Sequence, residues 1–424
     1  MIGINYYGQG IKSENLYKQD VLFISKEVKM VFSFIKKEHI SNKMGRLAVI
    51  RFVTTMAAAM IGTIWALYLD SFFNSIILVG FFSAALALLS FLSYFIFVPI
   101  VEKINKGKIY SFSLLVFSIT YFLFGINSNL YYFVILAFSL TIIGTLKVMS
   151  FGIMVNNESS KKLLSQNEGL IYVFANVAWL IGPLIAGFIA SKYNLNVIFF
   201  LGAIFTLISF FLFKFTKLKE SNISSKIHLN PIKTFFEFFK NKDRAIAYIL
   251  RGGVNLWFSL VYIFMPLYII RNNLSELWIG YFLAATVIPL ILFEFYFSKL
   301  AGKIGFKKIF KMGFLIVSIL TVICFFVSNI YLILLILVIA NIGIAMIEPT
   351  TEAYFFDLLK GKQALQFYGP YNTTADVNNF VVKIAASSLL IFLPFRFIFL
   401  LFGGFMFIYF LICFKMKDVI EAKK

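Results

Sequence analysis

Twelve long apolar stretches, separated by short polar or basic connections, recur along the chain. Each is about 18 to 25 residues long, enough to cross a bilayer as one helix. Spans 1 to 6 are expected near Gly45–Leu69, Ser75–Ile100, Ile109–Asn127, Leu130–Val155, Glu168–Ala190 and Leu195–Phe215. A hydrophilic break precedes spans 7 to 12, near Ala245–Ile270, Glu276–Leu300, Ile309–Val327, Ile330–Phe356, Pro370–Pro394 and Arg396–Met416. The pattern predicts an all-α membrane protein with about twelve transmembrane helices in two six-helix bundles, at 45–215 and 245–416. An N-terminal segment (1–44), a linker (216–244) and a tail (417–424) remain outside the membrane.

Two hydrophilic segments have a helical pattern of their own. Tyr17, Val21, Ile24, Val28, Val31 and Ile35 recur at helical spacing among Lys18, Lys26, Lys29, Lys36 and Lys37, as in a helix lying on an anionic inner leaflet. In the linker, Asn230 and Pro231 mark a helix start, followed by Phe235, Phe236, Phe238 and Phe239 ahead of Lys240 and Lys242. Membrane-surface anchoring is the expected role of both, with partner binding or regulation as the alternative.

Composition supports the bilayer: 61% of the residues are hydrophobic and 14% are charged. The net charge of +20 is gathered in short clusters between apolar runs, so no nucleic-acid partner is expected. Basic residues in short connections are retained on the cytoplasmic side. Lys103, Lys106, Lys108, Lys161, Lys162, Lys214, Lys217, Lys219, Lys240, Lys242, Arg244, Lys303, Lys307, Lys308, Lys311, Lys360, Lys362, Lys415 and Lys417 fall on one side, and only Lys192, Arg271 and Arg396 on the other. A multi-pass protein of the cell membrane with both termini cytoplasmic is therefore expected. Cys324 and Cys413 lie in apolar runs and His39 and His228 are far apart, so neither a disulfide framework nor a metal site is expected. Residues 1–43 lack the apolar core of a signal peptide. No nucleotide-binding loop or nucleophile–base pair stands out, so the chain is not expected to be an enzyme.

The second half repeats the first at an offset of 200 residues without a gap. Arg51, Leu67, Tyr68, Gly80, Lys103, Ile104, Lys108 and Ser128 fall on Arg251, Leu267, Tyr268, Gly280, Lys303, Ile304, Lys308 and Ser328. About a quarter of positions between Arg51 and Tyr131 are identical to their counterparts, and such repeats mark transporter folds with a site at the repeat interface.

Ionisable residues inside spans cost roughly 2.5 kcal/mol or more near the bilayer centre, so they mark pathways or pairs. Arg51 and Arg251 lie about 9 Å from the cytoplasmic ends of their expected spans. They are read as snorkelling or structural residues, with Glu294 the expected partner of Arg251. In span 11, Asn372, Asp376, Asn379, Lys383 and Ser387 share one helical face; in span 10, Asn341, Ala345, Glu348 and Glu352 do the same. Glu348 and Lys383 fall at similar depth and are expected to form an ion pair. Lys147 in span 4 adds a third charge, and Arg251, Asn255, Ser259 and Tyr262 form a polar face on span 7. No cofactor is expected; the proton is the candidate coupling ion, with Glu348, Glu352 and Asp376 as its candidate carriers.

Two local motifs complete the picture. The loop between spans 2 and 3 reads V-P-I-V-E-K-I-N-K-G-K over Val98–Lys108, with an acid at Glu102 and bases at Lys103, Lys106 and Lys108. Its copy over Ser298–Lys308 keeps Lys303, Gly305, Lys307 and Lys308, with Gly302 where the acid would stand. Span 5 carries Ala178, Gly182, Pro183, Ala186 and Gly187 in the order of a G-x-x-x-G-P-x-x-G-G motif. With the six-plus-six plan and the basic linker, these features resemble the major facilitator superfamily of secondary transporters over nearly the whole chain after Met44. The resemblance implies alternating access around a central cavity, with the Glu102 loop as an inner-side charge latch. The span 5 motif is more typical of export antiporters, which favours efflux; its chemistry is helix packing. Spans 1, 4, 7 and 10 line the cavity in that family, which makes Lys147, Asn255, Glu348 and Glu352 cavity candidates and Asp376, Asn379 and Lys383 flanking ones. The expected partners are a small-molecule solute, polar or anionic if Lys147 and Lys383 draw it, and the anionic inner leaflet; a monomer is expected. The alternative is a sensor or scaffold that keeps the fold without transporting.

Overall fold

The computed structural model describes residues 42–158, 164–216, 230–359 and 363–419. The expected surface helix at 17–35 lies outside the described residues, as does the side chain of Glu102. Among the described residues twelve helices are long and apolar enough to cross a membrane. Spans 1 to 6 are Lys43–Phe73, Ile76–Val101, Lys106–Ile126, Leu130–Val155, Leu170–Lys192 and Leu195–Phe215. Spans 7 to 12 are Lys242–Arg271, Glu276–Ile304, Phe306–Phe326, Ile330–Asp357, Gln366–Phe392 and Phe397–Lys415. The end where span 1 begins and span 12 stops is here the near end, and the opposite one the far end.

Helix starts are specified locally. Ser75, Asn105, Asn194, Asn241 and Asn329 accept hydrogen bonds from first-turn backbone N–H groups of spans 2, 3, 6, 7 and 10, which have no partner within their own helix. Gly305, in the register of Asn105, turns the chain between spans 8 and 9 with φ 97°, a left-handed backbone that favours glycine.

The duplication is visible in the packing. Span 1 lies on spans 5 and 6, span 2 on span 4, and span 3 on spans 4 and 6; span 7 lies on spans 11 and 12, span 8 on span 10, and span 9 on spans 10 and 12. Close approach follows from small residues, since apolar attraction between helices is weak in lipid. A Cβ on Gly182 would lie 2.6 Å from that of Ala59, and one on Gly313 would lie 2.7 Å from the carbonyl oxygen of Gly343.

The bundles are joined by contacts of span 1 with span 7, span 2 with span 11 and span 5 with span 8, and by smaller ones of span 1 with span 8 and span 2 with span 7. The far end is closed. Arg271 donates to Asp70 at 3.1 Å, and a Cβ on Gly280 would lie 2.5 Å from the Pro183 carbonyl oxygen and 3.1 Å from Gly187 Cα. Span 7 changes character midway. It is α-helical over Lys242–Ser259, widens into a π-turn at Leu260–Phe264 just before Pro266, and resumes as Met265–Arg271. Only the part from Leu260 onward makes an extended contact with span 1. The near-end part does not, and neither does span 4 with span 10, so among the described residues the bundles stand apart on that side at the near end, while spans 2 and 11 still meet there at Tyr94 and Gly369.

A nine-residue helix, Pro231–Phe239, bridges that end. Asn230 caps it by accepting from the N–H groups of Ile232 and Lys233. Phe238 is fully buried against Tyr248, Phe355 and Phe367 of the second bundle, while Phe235 meets Phe91 and Phe95 of span 2.

Candidate functional site

The charged groups of the second bundle gather where spans 7, 8 and 10 meet. Arg251 stands nine residues into span 7 and Glu348 nine residues before the end of span 10, each ~14 Å deep at helical rise. One turn nearer the end of span 10, Glu352 accepts from Arg251 Nη1 at 2.6 Å. The Tyr368 hydroxyl also donates to Glu352 Oε1, at 3.3 Å, and the Arg251 guanidinium lies over the Tyr371 ring, 4.7 Å from its centroid. Tyr371 is held in turn by stacking on Phe355 at 3.8 Å and by donating to the Thr351 carbonyl. Arg251 and Glu352 thus form a charge-assisted pair in an aromatic frame.

This pairing corrects two expectations. Arg251 takes Glu352 rather than Glu294 as its ion-pair partner. Glu348 and Lys383 form no ion pair: span 11 meets span 10 through its near-end turns, at Tyr368 and Tyr371, and deeper in the membrane packs on spans 2, 7 and 12 instead. Lys383 instead lies within electrostatic range of Asp376, one helical face along, and Asp376 faces Ser90 of span 2.

Glu294 turns toward Glu348. Leu283, Val287, Leu290, Phe297 and Ala301 form the buried stripe of span 8, and Glu294 stands in that stripe. It lies in electrostatic contact with Glu348, whose Oε2 is buried and makes no hydrogen bond. Tyr262, on the π-turn of span 7, also faces Glu348 and packs its ring 5.0 Å from that of Trp179 in span 5.

Spans 7 and 11 are joined by polar contacts. The Ser259 hydroxyl donates to Asn379 Oδ1 at 2.6 Å, and Thr374 donates to the Tyr248 carbonyl at 2.7 Å. Asn255 donates to the Arg251 carbonyl within its own helix. Asn378, off the polar stripe expected for span 11, accepts from the Tyr409 hydroxyl at 2.7 Å and lies against Gly252. Trp257, fully buried, donates to Asn341 Oδ1 at 3.0 Å. Tyr262 belongs to the polar face expected of span 7, whereas Tyr368 and Tyr371 carried no sequence signal, since 19% of the chain is aromatic.

The first bundle is arranged differently. Lys147 Nζ lies 3.7 Å over the Phe117 ring of span 3, and Arg51 lies over Phe151 of span 4 with its Nε buried and unbonded. The two cations are within electrostatic range of each other, and neither is within ion-pair distance of a described carboxylate. Gly182 and Gly187 of the span 5 motif are packing positions, against span 1 and span 8 respectively, while the Pro183 carbonyl meets Gly280. Lys103 and Lys303 stand in the last turns of their helices, and Asn105 accepts from the N–H of Lys108.

Comparison with known proteins places this architecture. The Major Facilitator Superfamily profile matches residues 47–291 and 256–424. An uncharacterized MFS-type transporter of Methanocaldococcus jannaschii is 28% identical over 200 residues, covering 43% of this chain and 50% of that protein. The staphylopine export protein of Staphylococcus aureus is 30% identical over 143 residues, 32% of this chain and 35% of that protein. The chain thus spans half the length of the first of these curated relatives and about a third of the second. A crystal structure of a POT family transporter in complex with a thioalcohol-conjugated peptide superposes with a TM-score of 0.73 at 13% identity, over 88% of this chain and 95% of that one. At that identity the likeness shows the fold alone. The profile match runs through both bundles, so the chain belongs to the Major Facilitator Superfamily.

Proposed function

We propose that the protein is a secondary transporter that moves a small polar solute by alternating access, with both termini cytoplasmic and efflux as the favoured direction. The observation that carries this reading is the asymmetry of closure. Pro183, Gly187 and Gly280 together with the Asp70–Arg271 pair seal the far end, while spans 4 and 10 and the near-end half of span 7 stand apart. Such an arrangement is one of the two states that rocking bundles exchange. The basic residues of the connections face the near end, which supports its assignment to the cytoplasm. The efflux direction is supported by the small-residue motif of span 5 and by partial similarity to a protein named for staphylopine export. The acids of spans 8, 10 and 11 support proton coupling.

A thermal-shift screen of the purified protein against solute classes identifies a ligand, since binding to the folded state raises its melting temperature. Flux of that solute in proteoliposomes under an imposed proton gradient then tests the reading. Gradient-driven movement is the expected result. A bound solute that is never moved in either direction would instead identify a sensor that keeps the fold.

A further inference from the structure

We propose that Glu294 and Glu348 form a proton-binding dyad, in which two carboxyl groups on the packed spans 8 and 10 share one proton inside the second bundle. The inference rests on the transporter reading for its purpose, because a bound proton matters most if its binding is linked to bundle movement.

Three observations on placement carry it. Glu294 lies ten residues before the end of span 8 and Glu348 nine before the end of span 10, so both stand ~14–15 Å from the near end and meet at one level. Charge is unbalanced at that level. Glu348 and Glu352 both face the one guanidinium, Arg251, which Glu352 already holds at 2.6 Å, and Glu294 faces Glu348 with no cation of its own among the described residues. Finally, Glu348 Oε2 is buried and unbonded. An ionised oxygen in that position lacks both solvent and a donor.

A proton between the carboxyl groups meets both needs. It removes one negative charge and turns a repulsive pair into a donor and an acceptor, as expected when two carboxylates share a site. The proton arrives from water and returns to water, and no other bond changes. The other titratable groups that face the pair are Arg251 and Tyr262 of span 7 and Glu352 of span 10. Among the described residues, spans 1, 5 and 9, also packed on span 8, direct no charge at it: Lys192 lies over Phe188, Lys307 donates to the carbonyls of Phe414 and Met416, and Lys311 lies over the Phe414 ring. Glu352 and Asp376 are less suited to this role, since each has a cation of its own, Arg251 and Lys383. The dyad has no counterpart in the first bundle, where Tyr94 and Val148 occupy its positions.

Infrared difference spectra of the full chain in lipid nanodiscs, recorded against pH without any solute, test the site. The wild type is expected to show a protonated-carboxyl band that persists at neutral pH. In Glu294→Gln and in Glu348→Gln that band is expected to vanish at lower pH than in the wild type, and in the double variant it is expected to be absent. A band indifferent to all three variants overturns the proposal. So does a wild type with no such band whose carboxylate bands respond to sodium, which would make the site a metal-cation site. If Glu348→Gln fails to fold, Glu294→Gln alone carries the test. The readout needs no transport, so the two readings fail separately. A band that behaves as expected in a protein that moves no solute sinks the transporter and keeps the dyad, whereas solute flux with an indifferent band does the reverse.

Discussion

The two bundles share a packing plan and differ in how they treat charge. In the first, Arg51 and Lys147 rest on aromatic faces with no carboxylate in reach. In the second, Arg251 is paired with Glu352, and the position corresponding to Glu352 in the first bundle is Gly152. Glu294 and Glu348 likewise replace Tyr94 and Val148, and Asp376 and Lys383 replace Asn176 and Pro183. Duplication preserved the contacts between helices because they depend on backbone approach and small residues. Charge was free to diverge, since one substitution in a packed span creates or removes a site without moving the helix.

The largest expected effect breaks the paired side. Glu352→Gln leaves Arg251 without its counter-ion and is expected to cost about 2–3 kcal/mol of stability, toward the lower end for a broken buried pair because each side chain is 19% exposed. Arg51→Gln strands no carboxylate and is expected to cost under about 1 kcal/mol. Thermal unfolding of both variants in the same detergent makes the comparison, and equal losses would sink it. Next in size is Gly280→Val, whose Cβ collides with backbone atoms of Pro183 and Gly187. It is expected to cost about 1–3 kcal/mol and to part the far end, read as faster labelling of a cysteine placed at Asn74.

A smaller change installs the missing acid. A Cβ at Gly152 meets nothing within 4 Å, so Gly152→Glu fits, removes a helical glycine and offers Arg51 a partner. A gain of about 1 kcal/mol is expected, and a loss on thermal unfolding would show that the two arginines are not equivalent. Asp70→Asn is expected to have the smallest effect, under about 1 kcal/mol, because this pair is partly exposed. Its use is to ask whether far-end closure depends on the ion pair or on the glycine contact: cysteine labelling at position 74 should change much less than in Gly280→Val.

Much of the fold was legible in the residues. Twelve apolar runs, their division into two sets of six and the 200-residue repeat are properties of local stretches, and the helices form where those stretches lie. The family was legible too, from the span 5 motif, the two basic loops and the overall plan. The charges of the site were visible as ionisable residues in apolar runs, but their partners were not. Depth along a helix follows from residue count only once the helix ends are known: the residues put Arg251 about 9 Å deep and Glu348 level with Lys383, whereas spans that start at Lys242 and stop at Asp357 bring Arg251 and Glu348 to one level. The direction a side chain takes around the helix axis depends on which helices surround it. For that reason the sequence alone points Glu348 to Lys383 on the next span and Glu294 to Arg251, and nothing in it distinguishes Asn378 or Tyr371.

By itself the sequence determined that the chain lives in a bilayer, as twelve helices in two related sets, because moving about twenty apolar residues into lipid is favourable whatever the rest of the chain does. Only the tertiary structure decided which charges meet and which end is shut. Burying an ionised group is costly unless a partner stands within a few ångströms, and that distance is set between helices far apart in sequence. Arg251 and Glu352 are separated by 101 positions and touch at 2.6 Å, while Glu348 and Lys383, much closer along the chain, form no ion pair.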